Sequence, residues 1–290
     1  MSRRLQRAQV KTHILSGMNG LPKVLLEHAS GSRAEVYLHG AHVTSWVPAG
    51  GHEMLFLSQR AEFEADKAIR GGIPVVFPQF ADSGPLPRHG WLRTSTWRLR
   101  DIPSPLASAT FEVEEDQHTM SIWPHPYHVE LKISLGEAFL ELELSVSNPG
   151  AEAFEFTCAL HSYLSVGDAR KAEVSGLHGC GYVDKVKGGV VATESDAILR
   201  VESETDRVYF DAPGVLELRD SARNALLEIT STGFRDAVIW NPWEKGSSQI
   251  ADLAECEYVK MLCVETAAVT TPVSLLPGEH WAGVQRLTLA

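Results

Sequence analysis

Two neighbouring segments near the middle of the chain alternate strictly between apolar and polar residues. In 128–135 (HVELKISL) and 139–147 (FLELELSVS), every second residue is leucine, isoleucine or valine. A period of two places these apolar side chains on one face of an extended strand. A Gly-Glu turn at 136–137 joins the segments, and an Asn-Pro-Gly sequence at 148–150 ends them. We therefore predict two antiparallel strands with one packed face and one solvated face.

Short segments rich in β-branched and aromatic residues recur through the rest of the chain, separated by turn signals roughly every 8–12 residues. A proline-containing hairpin is predicted between strands at 94–102 and 109–116, and one or two helical turns at 58–68. No amphipathic pattern of about ten or more residues indicates a longer helix. The prediction is an all-β fold in which residues 1–290 form a single large, mainly antiparallel β-sandwich.

Charge and cysteine content limit the partners of the chain. Its formal net charge is −11, and nucleic acid and anionic membranes require a positive field, so neither is expected as a partner. No apolar run reaches the ~20 residues of a membrane-spanning helix, and the basic segment 1–20 lacks the apolar core of a secretory signal. The four cysteines form no CxxC pair, so neither a zinc site nor a disulfide framework is indicated. These features favour a cytoplasmic protein with reduced thiols, and a monomer.

Residues 70–97 concentrate glycines, prolines and basic side chains. Proline removes a backbone donor and glycine weakens helices, so an irregular loop is predicted. Loops held by a rigid scaffold often carry binding residues. The candidates here are Arg70, Arg88, His89 and Arg93. The alternative is a connection between strands whose arginines face solvent.

Two residues far downstream are candidates for proton transfer. In 157–166 (TCALHSYLSV), a period of two places His161 on the face opposite the leucines, which suggests a polar concave surface. Glu265 interrupts an otherwise apolar strand, where an unpaired carboxylate would be costly. The alternatives are an exposed strand histidine and a glutamate on the solvated face beside Cys263.

Two further candidates rest on weaker signals. Asp206 precedes a predicted strand, and adjacent Arg207 offers it an ordinary ion partner in solvent. Trp240 and Trp243 flank an Asn-Pro pair. Their rings suit stacking on a sugar, and they equally suit a buried turn.

Six segments, taken together, resemble the aldose 1-epimerase-like superfamily, and within it the hexose-6-phosphate mutarotases. They span most of the chain in the family's order. The segments are RGGIPVVFPQF (70–80), PLPRHGWLR (85–93), ALHSYL (159–164), TDRVY (205–209), VIWNPW (238–243) and CVETAAV (263–269). Arg88 stands where glutamine is expected and Trp91 where phenylalanine is usual, which leaves fine specificity open. The segment 123–127 (WPHPY) is also unusual for the family.

The resemblance implies a galactose-mutarotase-like supersandwich with the substrate in a concave cleft on one sheet. It implies His161 and Glu265 as the catalytic pair, with Asp206 orienting the sugar. Arg70 and Arg93, together with Arg88, would hold a phosphate, and no cofactor or metal is needed. The candidate substrate-binding residues are Arg70, Arg88, Arg93, Asp206, His89 and Trp240.

The residue types suit the implied reaction, because opening a cyclic hemiacetal requires one base and one acid that later exchange roles. We assign Glu265 as the base at the C1 hydroxyl and His161 as the acid at the ring oxygen. Nearby acidic charge is expected to favour a cationic His161. Forked guanidinium donors match phosphate oxygens and favour a sugar phosphate. The rival interpretations are a mutarotase of unphosphorylated aldoses, a non-catalytic sugar-binding protein, and a structural or interaction domain.

Overall fold

The computed structural model describes residues 11–100 and 107–290, and this part of the chain is mainly β-structure. Two short helices are α1 (Gln117–Ile122) and α2 (Trp243–Ser247), and 3-10 turns occur at Met18–Gly20, Leu92–Thr94, Ala169–Lys171 and Glu257–Lys260. The strands are β1 (Lys11–Ser16), β2 (Pro22–Glu27), β3 (Arg33–Tyr37), β4 (His42–Val47), β5 (Val75–Val76), β6 (Arg98–Arg100), β7 (Ala107–Glu114), β8 (His128–Leu135), β9 (Phe139–Ser147), β10 (Phe154–Leu160), β11 (Tyr163–Ser165), β12 (Ala172–Ser175), β13 (Gly181–Asp184), β14 (Val190–Thr193), β15 (Ile198–Arg200), β16 (Thr205–Tyr209), β17 (Val215–Asp220), β18 (Ala225–Thr232), β19 (Asp236–Asn241), β20 (Met261–Leu275) and β21 (His280–Leu289).

Within the described residues these strands form three sheets. The first has the order β1-β2-β3-β4. The second, here called the cleft sheet, has the order β14-β13-β16-β19-β20-β10-β5, with β11 also pairing with β20. The third, here called the backing sheet, has the order β15-β12-β17-β18-β21-β9-β8-β7-β6. Neighbouring strands are antiparallel, for example β19 with β20 and β9 with β21, which confirms the predicted all-β fold.

The alternating segments form β8 and β9, which pair in the register Leu135↔Leu140. Every second residue of β9 is buried, so the predicted hairpin and its packed face are confirmed. This face joins a core cluster that also contains Leu160 and Val264 of the cleft sheet. The core therefore lies between the cleft and backing sheets. Across this core, the Ser162 hydroxyl donates a hydrogen bond to Gln285 Oε1 of the backing sheet at 2.7 Å.

The prediction of helical turns at 58–68 is wrong. The segment contains separate turns, closed by hydrogen bonds from Ala61 N–H to the Ser58 carbonyl and from Lys67 N–H to the Glu64 carbonyl. The buried carboxylate of Glu257 accepts from the Ser58 hydroxyl at 2.7 Å and from the Gln59 N–H at 2.9 Å. Side-chain bonds of this kind compete with helical bonds, which accounts for the difference.

Two sequence-based expectations concern residues outside the described ranges. The strands of the proline-containing hairpin are β6 and β7, and they pair. Their connection, 101–106, lies outside the described residues, as does most of the basic N-terminal segment. No helix in the described part of the chain is long and apolar enough to cross a membrane.

Candidate active site

The outer face of the cleft sheet forms the floor of the site. In β20, alternation places Leu262 and Val264 in the core between the sheets. Cys263 and Glu265 therefore lie on the opposite face. In β19 the same alternation directs Ile239 inward, while Trp240 lines the cleft. A strand that appears continuously apolar in sequence thus carries one carboxylate toward the cleft.

Close backbone packing shapes the loop that follows Arg70. Gly72 has a φ of +61°, and a Cβ atom there would lie 2.2 Å from the Val43 carbonyl oxygen. Buried His42 is hydrogen-bonded through Nε2 to the Gly71 carbonyl at 2.7 Å. Only glycine fits this turn, and His42 holds it. The loop is irregular as predicted, except for the short strand β5 and one 3-10 turn. Contacts of this kind hold its shape.

A cleft of about 250 Å³ opens above this floor, and all eight candidate residues line it. They are Arg70, Arg88, His89, Arg93, His161, Asp206, Trp240 and Glu265. Their distances along the chain are large, so the fold itself assembles the group. Their roles in binding and catalysis stay predictions.

His161 and Glu265 form a buried pair in the floor of the cleft. His161 Nδ1 lies 3.3 Å from Glu265 Oε1, but neither His161 Nδ1 nor Glu265 Oε2 has a hydrogen-bond partner among the described residues. The imidazole stacks on the ring of Tyr163 at a centroid distance of 4.7 Å and meets the edge of Trp240 at 5.9 Å. The alternatives of an exposed histidine and a glutamate on a solvated face are wrong, because the two residues are only 9% and 1% exposed.

The expected protonation of His161 is wrong in direction. Burial lowers its pKa well below the usual value, and the charges of Arg70 and Arg93 lower it further. Burial, followed by the charge of Asp206, raises the pKa of Glu265 well above its usual value. Burial therefore favours the neutral form of both groups in the empty protein, an imidazole that can accept a proton and a carboxyl group that can donate one. Ring opening and closure require each member of such a pair to donate and to accept in turn.

Four cations line the cleft, and they differ in how their charge is balanced. Arg70 donates to Asp252 at 3.1 Å and to the Tyr163 hydroxyl at 2.9 Å. Exposed Arg88 pairs with Asp82 at the mouth. The other two, Arg93 and Lys185, have no ion pair with a carboxylate among the described residues.

Of the three arginines, only Arg88 faces solvent, as the alternative interpretation expected, and its side chain is 61% exposed. Arg70 and Arg93 are half-buried. The Arg93 guanidinium donates to the Arg88 carbonyl at 2.9 Å, while its Nε is buried without a hydrogen-bond partner. A buried cation without a carboxylate is costly unless an anion compensates it.

His89 is a neutral, buried member of the cleft wall. Burial, followed by the charges of Arg93, Arg88 and Lys185, lowers its pKa to about 3. Its Nδ1 accepts from the Ala81 N–H at 3.3 Å. Since the ring is neutral and Nδ1 accepts, the proton lies on Nε2. His89 therefore offers one N–H donor and adds no charge to the site.

Asp206 is half-buried in β16 beside Trp240, its register partner in β19. Arg207 is not its partner, because Arg207 donates to Glu194 at 3.0 Å. Successive strand residues point to opposite faces, which separates these neighbours. Burial raises the pKa of Asp206, and the charge of Lys185 opposes this shift.

Sequence reasoning missed two residues that shape the cation cluster. Lys185 lies in the turn after β13, with its Nζ 4.7 Å from the centre of the Phe80 ring. Asp252, which holds Arg70, lies in a turn after α2. A lysine or aspartate in a polar turn carries no signal that distinguishes it from a solvated one.

Trp91, one of the departures from the family pattern, lies in the core and does not line the cleft. Its indole N–H donates to the Tyr127 hydroxyl at 3.0 Å, and its ring lies 6.2 Å from that of Trp123. The unusual segment 123–127 therefore supplies the partners of the unusual tryptophan. Trp91 and the segment 123–127 thus contact each other, and neither lines the cleft.

The fold and the site together have the features of an acid–base enzyme that acts on a small anionic ligand. A buried carboxyl–imidazole pair provides acid–base chemistry, and an excess of cations around it suits a small anionic ligand. Residues 22–288 match the aldose 1-epimerase family, and the chain belongs to that family of sugar isomerases. The resemblance inferred from the sequence motifs is thus confirmed.

Individual relatives agree with this assignment. The chain is 38% identical over 275 residues to a Cenchrus ciliaris protein named "Putative glucose-6-phosphate 1-epimerase", covering 91% of this chain and 84% of the other. An Escherichia coli protein of the same name is 33% identical, covering 86% and 84%. A crystal structure described as a "putative mutarotase" from Salmonella typhimurium superposes with a TM-score of 0.86 at 28% identity, covering 96% and 97% of the two chains.

Proposed function

We propose that this protein interconverts the α and β anomers of a hexose 6-phosphate, with glucose 6-phosphate as the first candidate. The observation that carries the proposal is the His161–Glu265 pair, 3.3 Å apart in the floor of a cleft lined by four cations. The cytoplasm stays the expected compartment, and a monomer the expected state. No cofactor takes part in the proposed steps.

The reaction follows from the two proton-transfer groups. Glu265 removes the proton of the C1 hydroxyl while His161 gives a proton to the ring oxygen, and the C1–O5 bond breaks. The aldehyde then rotates about the C1–C2 bond. Ring closure on the other face returns both protons, because Glu265 now donates to the C1 oxygen and His161 accepts from the C5 hydroxyl. Each proton-transfer group of this kind supplies a factor of roughly 10² to 10⁴ in rate.

The cation cluster supports a phosphorylated substrate over a free aldose. Arg93 and Lys185 have no carboxylate partner among the described residues, and a phosphate dianion would balance their charge. Arg70 is already held by Asp252 and Tyr163, so it offers its remaining donors in a fixed orientation. Asp206 and Trp240 flank the pair and suit contacts with the sugar hydroxyls and ring face.

A bound phosphate would also act on His161. Arg70 and Arg93 are among the groups that lower the pKa of this histidine. A dianion near them offsets part of their field, so substrate binding raises the affinity of His161 for a proton. This shifts His161 toward the protonated form that its role as the acid requires.

Anomer exchange measured by NMR magnetisation transfer on glucose 6-phosphate tests the proposal. We expect acceleration by the wild type and a loss of roughly 10²-fold or more in His161→Ala and in Glu265→Gln. Galactose 6-phosphate, mannose 6-phosphate and the free sugars, run in parallel, separate the phosphorylated from the unphosphorylated substrate class. Sugar phosphate binding without acceleration would instead favour a non-catalytic binding protein. No acceleration with any of these sugars would overturn the proposal.

A further inference from the structure

Cys263 brings a third potential ligand to the catalytic pair. It precedes Glu265 by two residues in β20, so both side chains lie on the same face of the strand. One ligand atom each from His161, Cys263 and Glu265 lie within 4.8 Å of one another, and all three residues are buried. None of the proposed catalytic steps uses the thiol.

The distance between His161 Nδ1 and Glu265 Oε1 agrees with a metal site. Nitrogen and oxygen ligands bound at about 2.0–2.1 Å around a tetrahedral zinc ion lie roughly 3.3–3.4 Å apart. The distance from His161 Nδ1 to Glu265 Oε1 is 3.3 Å, yet the pair is not aligned as a hydrogen bond. The two atoms thus stand at the separation of two ligands sharing one ion.

Two atoms of the cluster are also unsatisfied. Buried polar atoms nearly always have a partner, and the exceptions point to a function or to an ion. His161 Nδ1 and Glu265 Oε2 are both buried and have no hydrogen-bond partner within residues 11–100 and 107–290. One zinc ion would bind His161 Nδ1 and a Glu265 oxygen at the same time.

A second group of potential ligands on the molecule differs in its burial and in its ion pairs. Glu112, His128 and Glu130 also lie close together, but they are half-exposed on the backing sheet. Arg98 and Arg100 pair with the two glutamates. That group is accounted for by ion pairs on a solvated face, and it contains no thiol.

We propose that His161, Cys263 and Glu265 bind Zn²⁺ as an inhibitory ion, with a fourth coordination position open to the cleft. A nitrogen, sulfur and oxygen donor set selects zinc over magnesium or calcium, which prefer oxygen donors alone. The thiol loses its proton to solvent when the metal binds. The ion occupies both proton-transfer groups, so anomer exchange stops while it is bound. This last consequence rests on the proposed function, whereas metal binding does not.

The predicted ligands escape motif-based recognition because they are separated by about a hundred residues along the chain. Zinc motifs are recognised by closely spaced cysteines and histidines, and this chain has no CxxC pair. Here the pairing of β10 with β20 brings the ligands together.

Co²⁺ binding followed by Zn²⁺ displacement tests the proposal. The protein carries Cys180→Ser and Cys256→Ser, which remove the two thiols that are not buried. We expect one equivalent of Co²⁺ to give the visible absorption of a tetrahedral site and a thiolate-to-metal charge-transfer band, both abolished by Zn²⁺. Adding Cys263→Ala should remove the charge-transfer band. Because Cys263 is a direct ligand, the change should also weaken Zn²⁺ binding by more than the roughly 10- to 100-fold typical for loss of a hydrogen-bond partner of a ligand. Adding Cys158→Ala instead, at a buried thiol in β10, should leave both unchanged.

The outcomes separate the two proposals. Absence of the charge-transfer band, or its persistence in Cys263→Ala, would overturn the metal site. If Cys263→Ala does not fold, His161→Ala replaces it, and unchanged Zn²⁺ affinity in that variant would equally overturn the site. Zn²⁺ should inhibit anomer exchange over the range in which it displaces Co²⁺, and a chelator should restore the rate. Metal binding in a protein inactive on every sugar would leave this inference standing while removing the proposed function.

Discussion

His161 stands one position beyond the last paired residue of β10, and the register of the sheet sets it beside Glu265. Leu160 pairs with Thr266 of β20, so the next step along both strands brings the imidazole to the carboxyl group. The result is the 3.3 Å approach of Nδ1 to Oε1. Because a slip of one residue would turn Glu265 into the core, the register of this strand pair is a condition for the proposed chemistry.

Glu265→Gln should change the pH dependence of stability. Burial and the charge of Asp206 raise the pKa of Glu265 in the folded protein well above its usual value of 4.5. The stability associated with this raised pKa is present below about pH 4.5 and is lost as the pH rises through the folded pKa. Glutamine stays neutral throughout. Between pH 4.5 and 8, the free energy of unfolding of the variant should therefore increase relative to that of the wild type.

Urea unfolding at several pH values in this range measures the difference. Glu217→Gln, at an exposed position of the backing sheet, is the matched control and should show a difference that hardly varies with pH. A Glu265→Gln difference that stays constant over the range would show that the carboxyl group titrates normally in the folded state.

Lys185→Ala should weaken binding of the sugar phosphate. Lys185 lines the cleft with no carboxylate partner among the described residues, whereas exposed Lys187 pairs with Asp184 at 3.5 Å. A hydrogen bond to a charged group contributes about 1.5–3 kcal/mol, which corresponds to a rise in KM of roughly 10- to 150-fold. The rate on free glucose should hardly change.

Steady-state anomer exchange with glucose 6-phosphate and with glucose checks this expectation. Lys187→Ala removes the same charge from the same turn and should leave both KM values within about twofold, because Lys187 lies outside the cleft lining and buried Asp184 keeps Arg207 at 3.8 Å. Equal losses on both sugars in Lys185→Ala would contradict a phosphate contact.

Arg93→Ala should raise the pKa of His161 in the empty protein. Burial is the main cause that lowers this pKa, and it persists in the variant, but the contribution of Arg93 is removed. A non-reactive analogue, 1,5-anhydroglucitol 6-phosphate, should raise the same pKa in the wild type, because its phosphate offsets the cations. NMR titration of the imidazole measures both shifts. The analogue without phosphate is the control, and an equal shift with it would refute the electrostatic explanation.

Periodicity was sufficient to predict the strands, because alternation in a half-buried strand is a direct record of which face is packed. The β8–β9 hairpin is the clearest case. The prediction for segment 58–68 is wrong, since the hydrogen bond that Ser58 donates to Glu257 joins residues 199 positions apart. Sequence patterns describe neighbours along the chain and do not contain such a contact.

The candidate site shows the same division between local and distant information. Glu265 stands out because it interrupts an apolar strand, and His161 because a period of two places it on the face opposite the leucines. Lys185 and Asp252 break no pattern, since polar turns are their ordinary location. The protonation of His161 is predicted wrongly from the sequence because burial and two arginines, brought together only by the fold, lower its pKa.

Gly90→Ala should destabilise the protein and disturb the cleft. Gly90 has a φ of +63°, and a Cβ atom there would lie 1.8 Å from the Phe77 carbonyl oxygen. The backbone must move to relieve this overlap, and the movement would reach His89 next to it and Arg93 after it.

Gly50→Ala is the matched control, because its φ is +67° and no atom lies within 4 Å of the added Cβ. Strain from a positive φ alone costs of the order of 1–3 kcal/mol and is common to both variants. Any further loss in Gly90→Ala, seen by urea unfolding together with a raised KM for glucose 6-phosphate, measures the clash. Equal stability in the two variants would mean that the approach of Gly90 to Phe77 does not constrain the loop.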